Sequence, residues 1–159
     1  MTREIKQQFT LRISQANPTE MVVILYDMAM TFLEEAKGSF EAQDMVEYKE
    51  AIRKVRGCIN ELIHSLHMEY EPAFHLLKLY LFCIRRLANA EVRKNPQMLD
   101  EIKAVLGKLR EAYAHIAPTN PAPAVMSNTQ TVVSGMTYGK GAALREDVTA
   151  AEMNRGMLV

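Results

Sequence analysis

Residues 76–87 read Leu76-Leu77-Lys78-Leu79-Tyr80-Leu81-Phe82-Cys83-Ile84-Arg85-Arg86-Leu87, an apolar run broken only by Lys78, Arg85 and Arg86. A surface helix needs one apolar stripe, and this run supplies apolar residues on nearly every side. At helical spacing Leu76, Tyr80, Cys83 and Leu87 form one seam, and Leu77, Leu81 and Ile84 form a second beside it; Leu79 and Phe82 lie off both. The first seam reads as core. The second has to face a further helix of the same bundle, a partner's helix or a hydrophobic client.

Working outward, four helix starts are legible. Asn17-Pro18-Thr19-Glu20 offers Asn17 as N-cap, Pro18 where its missing N–H costs nothing, and Glu20 placed for a capping box. Asn95-Pro96 repeats the device, Asp44 with Glu47 reads as another start, and Pro72 opens the helix of the apolar run. The helix over about 18 to 41 carries Met21, Leu25, Met28, Phe32 and Ala36 at spacings of three and four. The one over about 45 to 68 carries Tyr48, Ile52, Val55, Ile59, Leu62 and Leu66, and the one over about 96 to 116 carries Leu99, Ile102, Leu106, Leu109, Tyr113 and Ile116. Seams sustained over three turns with short connections predict an all-α domain over residues 1–117, an antiparallel four-helix bundle with a short N-terminal segment. Residues 118–159 read as a non-bundle tail: Pro118, Pro121 and Pro123 end the last helix, and β-prone residues and glycines follow.

Composition excludes several classes. Nineteen Lys and Arg balance nineteen Asp and Glu, leaving no electrostatic footprint for nucleic acid. The start, MTREIKQQF, lacks a signal-peptide core, and no apolar run reaches the roughly 18 residues a membrane span needs, so neither secretion nor membrane insertion is expected. Cys58 and Cys83 sit inside apolar helical patterns as small hydrophobes rather than as a disulfide framework. A cytoplasmic protein is the expectation.

Catalytic chemistry is hard to find. A di-iron bundle needs two Glu-x-x-His motifs, and only Glu61-Leu62-Ile63-His64 matches, with His64 turned away from the seam. His64, His67 and His75 would suit a zinc site only by chance of geometry; histidines near a helix C-terminus more simply oppose its dipole. Tyr138-Gly139-Lys140-Gly141 lacks the strand and helix of a phosphate loop, and Arg85-Arg86 reads as a solvated edge. No catalytic residue, cofactor or metal is expected.

Ala16-Asn17-Pro18-Thr19-Glu20-Met21 followed by Leu25-Tyr26-Asp27 resembles the start of the first long helix in the flagellin export chaperones of the FliS family. The likeness continues through Lys54, Ile59, Glu61-Leu62 and Leu66, through Leu79-Tyr80, Arg85-Arg86-Leu87 and Ala90, and ends on Leu109-Arg110-Glu111-Ala112-Tyr113. It implies a non-enzymatic helical bundle that binds the C-terminal region of flagellin, prevents its premature polymerisation and helps deliver it to the flagellar export gate. Phe9 and Ile13 approximate an aromatic-aliphatic pair that the family uses near its groove. The chain departs from the family at His67 to Pro72, where glycines are common, and at Tyr113, where Trp is common.

The expected client surface is therefore Leu77, Leu81 and Ile84 with Val55 and Ile59 of the preceding helix, covered in the free protein by the segment around Phe9 and Ile13. Val55 and Ile59 also fit the core. The tail's Val132, Val133, Leu144, Val148, Met153, Met157, Leu158 and Val159 are expected to act as a tethered competitor for that groove, on the same molecule or on a neighbour. The alternative reading is a non-catalytic adaptor or homodimerising regulator of flagellar assembly, self-associating through the tail or the third long helix.

Overall fold

A computed structural model describes residues 1–126 of the chain. They form five helices: α1 (Arg3–Gln15), α2 (Pro18–Glu41), α3 (Met45–His64), α4 (Glu71–Arg93) and α5 (Gln97–Ile116), followed by a short 3₁₀ turn at Ala117–Thr119. No strand occurs among the described residues. The expected starts are built as their chemistry requires. At α2 the Asn17 side chain accepts from Glu20 N, and Glu20 Oε2 accepts from Asn17 N, each at 2.8 Å. Asp44 accepts from Glu47 N at 3.0 Å to start α3, and Pro72 sits in the first turn of α4. At α5 the cap is displaced by one residue: Pro96 occupies the N-cap position, and Asn95 Oδ1 accepts from Gln97 N at 3.0 Å.

Helix α2 packs on α3 and α5, and α4 packs on the same two, so these four helices close a ring. Inside it Tyr26, Leu33, Ile52, Ile59, Leu62, Leu87, Ile102 and Leu106 are shut off from solvent. Lys37 meets Asp100, Glu34 meets Lys103 and Asp27 meets Arg110, one residue number falling as the other rises, so α2 and α5 run in opposite directions. The first two pairs are exposed and contribute about 0–1 kcal/mol each, so they record orientation more than they supply stability.

Three expectations need correction. The N-terminal segment is itself a thirteen-residue helix, α1, with Thr2 as its N-cap. Helix α3 ends at His64 rather than near 68; Ser65 turns back onto Leu62, and Leu66 is half-buried in the turn that follows. On α2 the inward seam is Tyr26, Ala29, Leu33 and Ala36, whereas Met21, Leu25, Met28 and Phe32 are only partly covered. Alanines at positions 29, 36 and 51 bury completely where the helices meet closely, a role their modest hydrophobicity conceals. The seam of α3 is as expected from Tyr48 to Leu62; that of α5 is buried only to Leu106, and Ile116 is exposed.

Candidate functional site

Helix α4 carries two kinds of apolar residue. Tyr80, Cys83 and Leu87 point into the ring and are buried, with Leu76 half-buried beside them. Leu77, Leu81 and Ile84 lie on the adjacent outer edge, and Phe74 extends that stripe one turn toward the helix start. Phe74 is 53% exposed and Leu81 41%, while Leu77 and Ile84 are half-buried. The edge is identified by its ion pairs. Glu91 lies two turns beyond Ile84 on the same side and meets Arg56 of α3 at 2.9 Å. Arg86, on the opposite side, meets Glu101 of α5 at 2.9 Å and covers the Phe82 ring. The open stripe therefore borders α3. Phase alone could have added Phe74 to the set, since 74, 77, 81 and 84 follow the helical spacing.

Val55 and Ile59 belong to the interior: both are 0% exposed, held between α3 and its neighbours, and offer no surface to a binder in this state. Phe9 and Ile13 lie on α1, and α1 does not cover the α4 stripe as expected. Its narrow seam of Ile5, Phe9 and Ile13 packs, with Ala16, against Met21, Ile24 and Met28 on the outer face of α2. The reason is the second apolar strip of α2, which the ring leaves outside and which needs a cover of its own.

Polar contacts hold α1 in that seat. Arg12 donates to Asp27 at 2.7 Å and Arg110 donates to the same carboxylate at 2.8 Å, so one side chain, 16% exposed, ties α1 to α2 and α5 together. The Met1 ammonium pairs with Glu35 further along α2. Such support matters because an isolated helix of this length is marginal in water.

Residues far apart in the sequence meet beneath this surface. Tyr26, Tyr80 and Tyr113 form one aromatic cluster, with ring centroids 6.5 Å apart for Tyr26 and Tyr80 and 5.8 Å for Tyr26 and Tyr113. The Tyr26 and Tyr80 hydroxyls hydrogen-bond each other in the interior, and Tyr48 donates to the Ala90 carbonyl at 2.9 Å. Burial pushes the Tyr80 hydroxyl up to about 12 and raises that of Tyr26 further; burial likewise lifts the Cys58 and Cys83 thiols to about 11. These groups titrate at ordinary values in the unfolded chain, which therefore loses protons first as pH rises. Their stabilising effect is full below about pH 9 and is lost through the window up to about 11 for the thiols and 12 for Tyr80. The urea midpoint is expected to hold at pH 8 and fall steadily from pH 9 to 11; a flat midpoint over that range contradicts this account of the core.

Elsewhere the described residues hold no cluster of three or more His, Cys, Asp or Glu placed as metal ligands, and His64, His67 and His75 are each exposed. No helix among them is long and apolar enough to cross a membrane. The tail positions named as competitors, Val132 to Val159, and the Tyr138-Gly139-Lys140-Gly141 stretch lie outside the described residues.

Comparison with known proteins gives a consistent likeness. The family model described as flagellar protein FliS matches residues 1–120. The flagellar secretion chaperone FliS of Salmonella typhimurium is 33% identical over 109 residues, covering 67% of this chain and 81% of that protein. The flagellar secretion chaperone FliSB of Pseudomonas aeruginosa is 30% identical over 108 residues, 67% of this chain and 86% of that one. FliS of Bacillus subtilis, with the same description, is 27% identical over 101 residues, 64% of this chain and 76% of its own length. Among the residues that carry the resemblance, Tyr26-Asp27, Tyr80 and Arg110 with Tyr113 are joined by the fold in the tyrosine cluster and the Asp27 ion pairs.

Proposed function

The chain belongs to the flagellar protein FliS family, and from that premise we propose that it is a cytoplasmic, non-enzymatic flagellar secretion chaperone whose client is the C-terminal segment of flagellin. In this reading α2 to α5 are an antiparallel four-helix bundle, α1 is a cover on it, and the chain from residue 118 is a separate tail. The observation that carries the reading is the open apolar stripe on α4, where Phe74 and Leu81 stand 53% and 41% exposed beside Leu77 and Ile84. An amphipathic client segment lays its apolar face on such a stripe, which keeps that face from other flagellin molecules.

Phe32, one turn beyond Met28 on α2, lies under the Lys54 ammonium of α3, so the outer face of α2 reaches α3 past the end of the α1 seat, and the stripe on α4 borders α3 as well. A client long enough to cross α3 engages the α4 stripe first and then takes the place of Phe9 and Ile13 on Met21, Ile24 and Met28. Phe9 and Ile13 are thus occupants to be replaced, and Val55 and Ile59 support the wall from within. Four anchors at about 1.5–3 kcal/mol each exceed the roughly 2–5 kcal/mol needed to order a disordered segment. The loaded complex is then presented to the flagellar export gate.

Calorimetric titration with a flagellin C-terminal peptide tests this. Saturable binding with a Kd below about 10 μM is expected, and no heat of binding up to about 100 μM peptide would refute the assignment. The same open stripe favours a second reading, a homodimerising regulator or adaptor in which two α4 helices pair. Light scattering of the free chain separates the two, because a tight dimer buries the client surface.

A further inference from the structure

Helix α3 carries a glycine in mid-helix, Gly57, that nothing in the free protein requires. It stands two residues from Val55 and two from Ile59, both wholly buried. At about 100° per residue it therefore points the opposite way, onto the outermost line of α3. Gly57 is exposed, and a Cβ built on it would find open space, with no packed atom within 4 Å. A glycine in such a place weakens a helix relative to alanine, because it adds freedom to the unfolded chain and packs nothing. Of the other helical glycines among the described residues, Gly38 lies in the last turn of α2 and Gly107 is half-buried.

The long side chains around Gly57 are drawn away from it. Arg53, one turn before, folds back on Glu50 with contacts of 2.8 and 2.6 Å. Lys54 leans to one side, over the Phe32 ring of α2, and Arg56 leans to the other, onto Glu91 of α4 at 2.9 Å. Between them lies a saddle of bare helix backbone.

The saddle is level with the apolar surfaces on both sides of α3. Helices α3 and α4 run in opposite directions, since Tyr48 near the start of one meets Ala90 near the end of the other. Counted residue for residue from that contact, Gly57 comes level with Leu81, within the open stripe. Helices α2 and α3 also run in opposite directions, Phe40 packing on Tyr48 beside the turn that joins them. Counted from the contact of Lys54 with Phe32, Gly57 comes level with Ala29, next to Met28 on the outer face of α2.

We propose that Gly57 is where the client crosses α3: the segment seated on the α4 stripe passes over this saddle to reach Met28 and the strip under α1. This rests on the reading above that a flagellin segment engages both surfaces. A chain with apolar anchors on both sides of α3 has to keep its backbone low between them. Any side chain at position 57 lifts that backbone and draws one set of anchors off its surface, whereas a missing Cβ lets one backbone pass close over another. Two tethered segments bind far more tightly than either alone only where geometry lets both sit at once. Gly57 is thus a positioning residue: it offers no anchor of its own and sets whether the two surfaces act together.

The test uses the full chain with Gly57→Ala and Gly57→Gln, and Val46→Gln as a control at an exposed position near the start of α3. Both Gly57 variants are expected to keep or raise the urea midpoint, since each is the better helix former. The flagellin C-terminal peptide is expected to bind several-fold more weakly to Gly57→Ala and about tenfold or more weakly to Gly57→Gln, with Val46→Gln unchanged. At saturation the peptide is expected to speed amide exchange of α1 in the unaltered chain and not in Gly57→Gln, where the client stays on α4 alone. Unchanged affinity in Gly57→Gln overturns the crossing and leaves the chaperone reading standing. An equal loss at Val46→Gln overturns it too, because any added side chain on α3 would then suffice, and so does α1 exchange speeded alike in both chains. Failure of the unaltered chain to bind the peptide refutes the chaperone reading and the crossing with it.

Discussion

Replacing Phe74 and Leu81 together by glutamate is expected to weaken binding of the flagellin C-terminal peptide by about 100-fold or more while leaving the fold intact. Both side chains lie outside the ring, at 53% and 41% exposure, so a carboxylate placed there can reach water in the free protein. In the proposed complex each is an anchor worth about 1.5–3 kcal/mol, and the substitution also places two carboxylates against the client's apolar face. Losing about 3 kcal/mol corresponds to somewhat more than 100-fold in Kd. Calorimetry gives the affinity, and circular dichroism with a urea melt reports the fold. An unchanged Kd with an unchanged melt removes the α4 stripe from the binding surface. A parallel change at Val92, also exposed on α4 but beyond the stripe, should leave binding as it is.

Tyr26→Ala is expected to cost about 3–5 kcal/mol of stability, the range seen when a buried aromatic side chain is truncated. Tyr26 has no exposed surface, packs at a tilt against both Tyr80 and Tyr113, and pairs its hydroxyl with that of Tyr80. Truncation opens a cavity where α2, α4 and α5 converge and leaves the Tyr80 hydroxyl without its partner. Tyr26→Phe isolates the second effect: the ring remains, the hydroxyl pair is broken, and the expected loss is about 1–3 kcal/mol. Adding Tyr80→Phe should then cost little more, because the pair is removed rather than orphaned. A double variant as costly as the sum of its singles would show that the two hydroxyls are not coupled. Urea denaturation at pH 7 measures all three, well below the range in which the tyrosines titrate.

How far the fold was legible follows from the kind of interaction involved. Helix starts are local: Asn17 with Glu20 and Asp44 with Glu47 satisfy their own backbone donors within one turn, so spacing alone reveals them. The seam of α3 is legible because that helix has one apolar side, and every member from Tyr48 to Leu62 is buried. Helix α2 has two. Its Met21, Leu25, Met28 and Phe32 are larger and more hydrophobic than Ala29 and Ala36, and so dominate the pattern, yet they face α1 or the edges of the ring. Helix α1 carries only Ile5, Phe9 and Ile13 in phase, a seam too thin to announce itself among Lys, Gln and Arg neighbours, although its four-residue spacing was present.

By itself the sequence determined that the chain is helical, where most helices begin, and that α4 has more apolar surface than one core can use. Periodicity specifies which residues share a face, because the helix fixes the angle between neighbours. It does not specify what each face meets, which depends on contacts between residues far apart in the sequence, some by more than a hundred positions. Only the tertiary structure decided that Val55 and Ile59 are interior, that α1 covers α2 while the Phe74 to Ile84 stripe stays open, and that Asp27 binds Arg12 and Arg110 at once. It also decided that the chain after α5 returns to the Ala16 carbonyl, a contact made by backbone groups that every residue but proline possesses and that no side-chain pattern can encode.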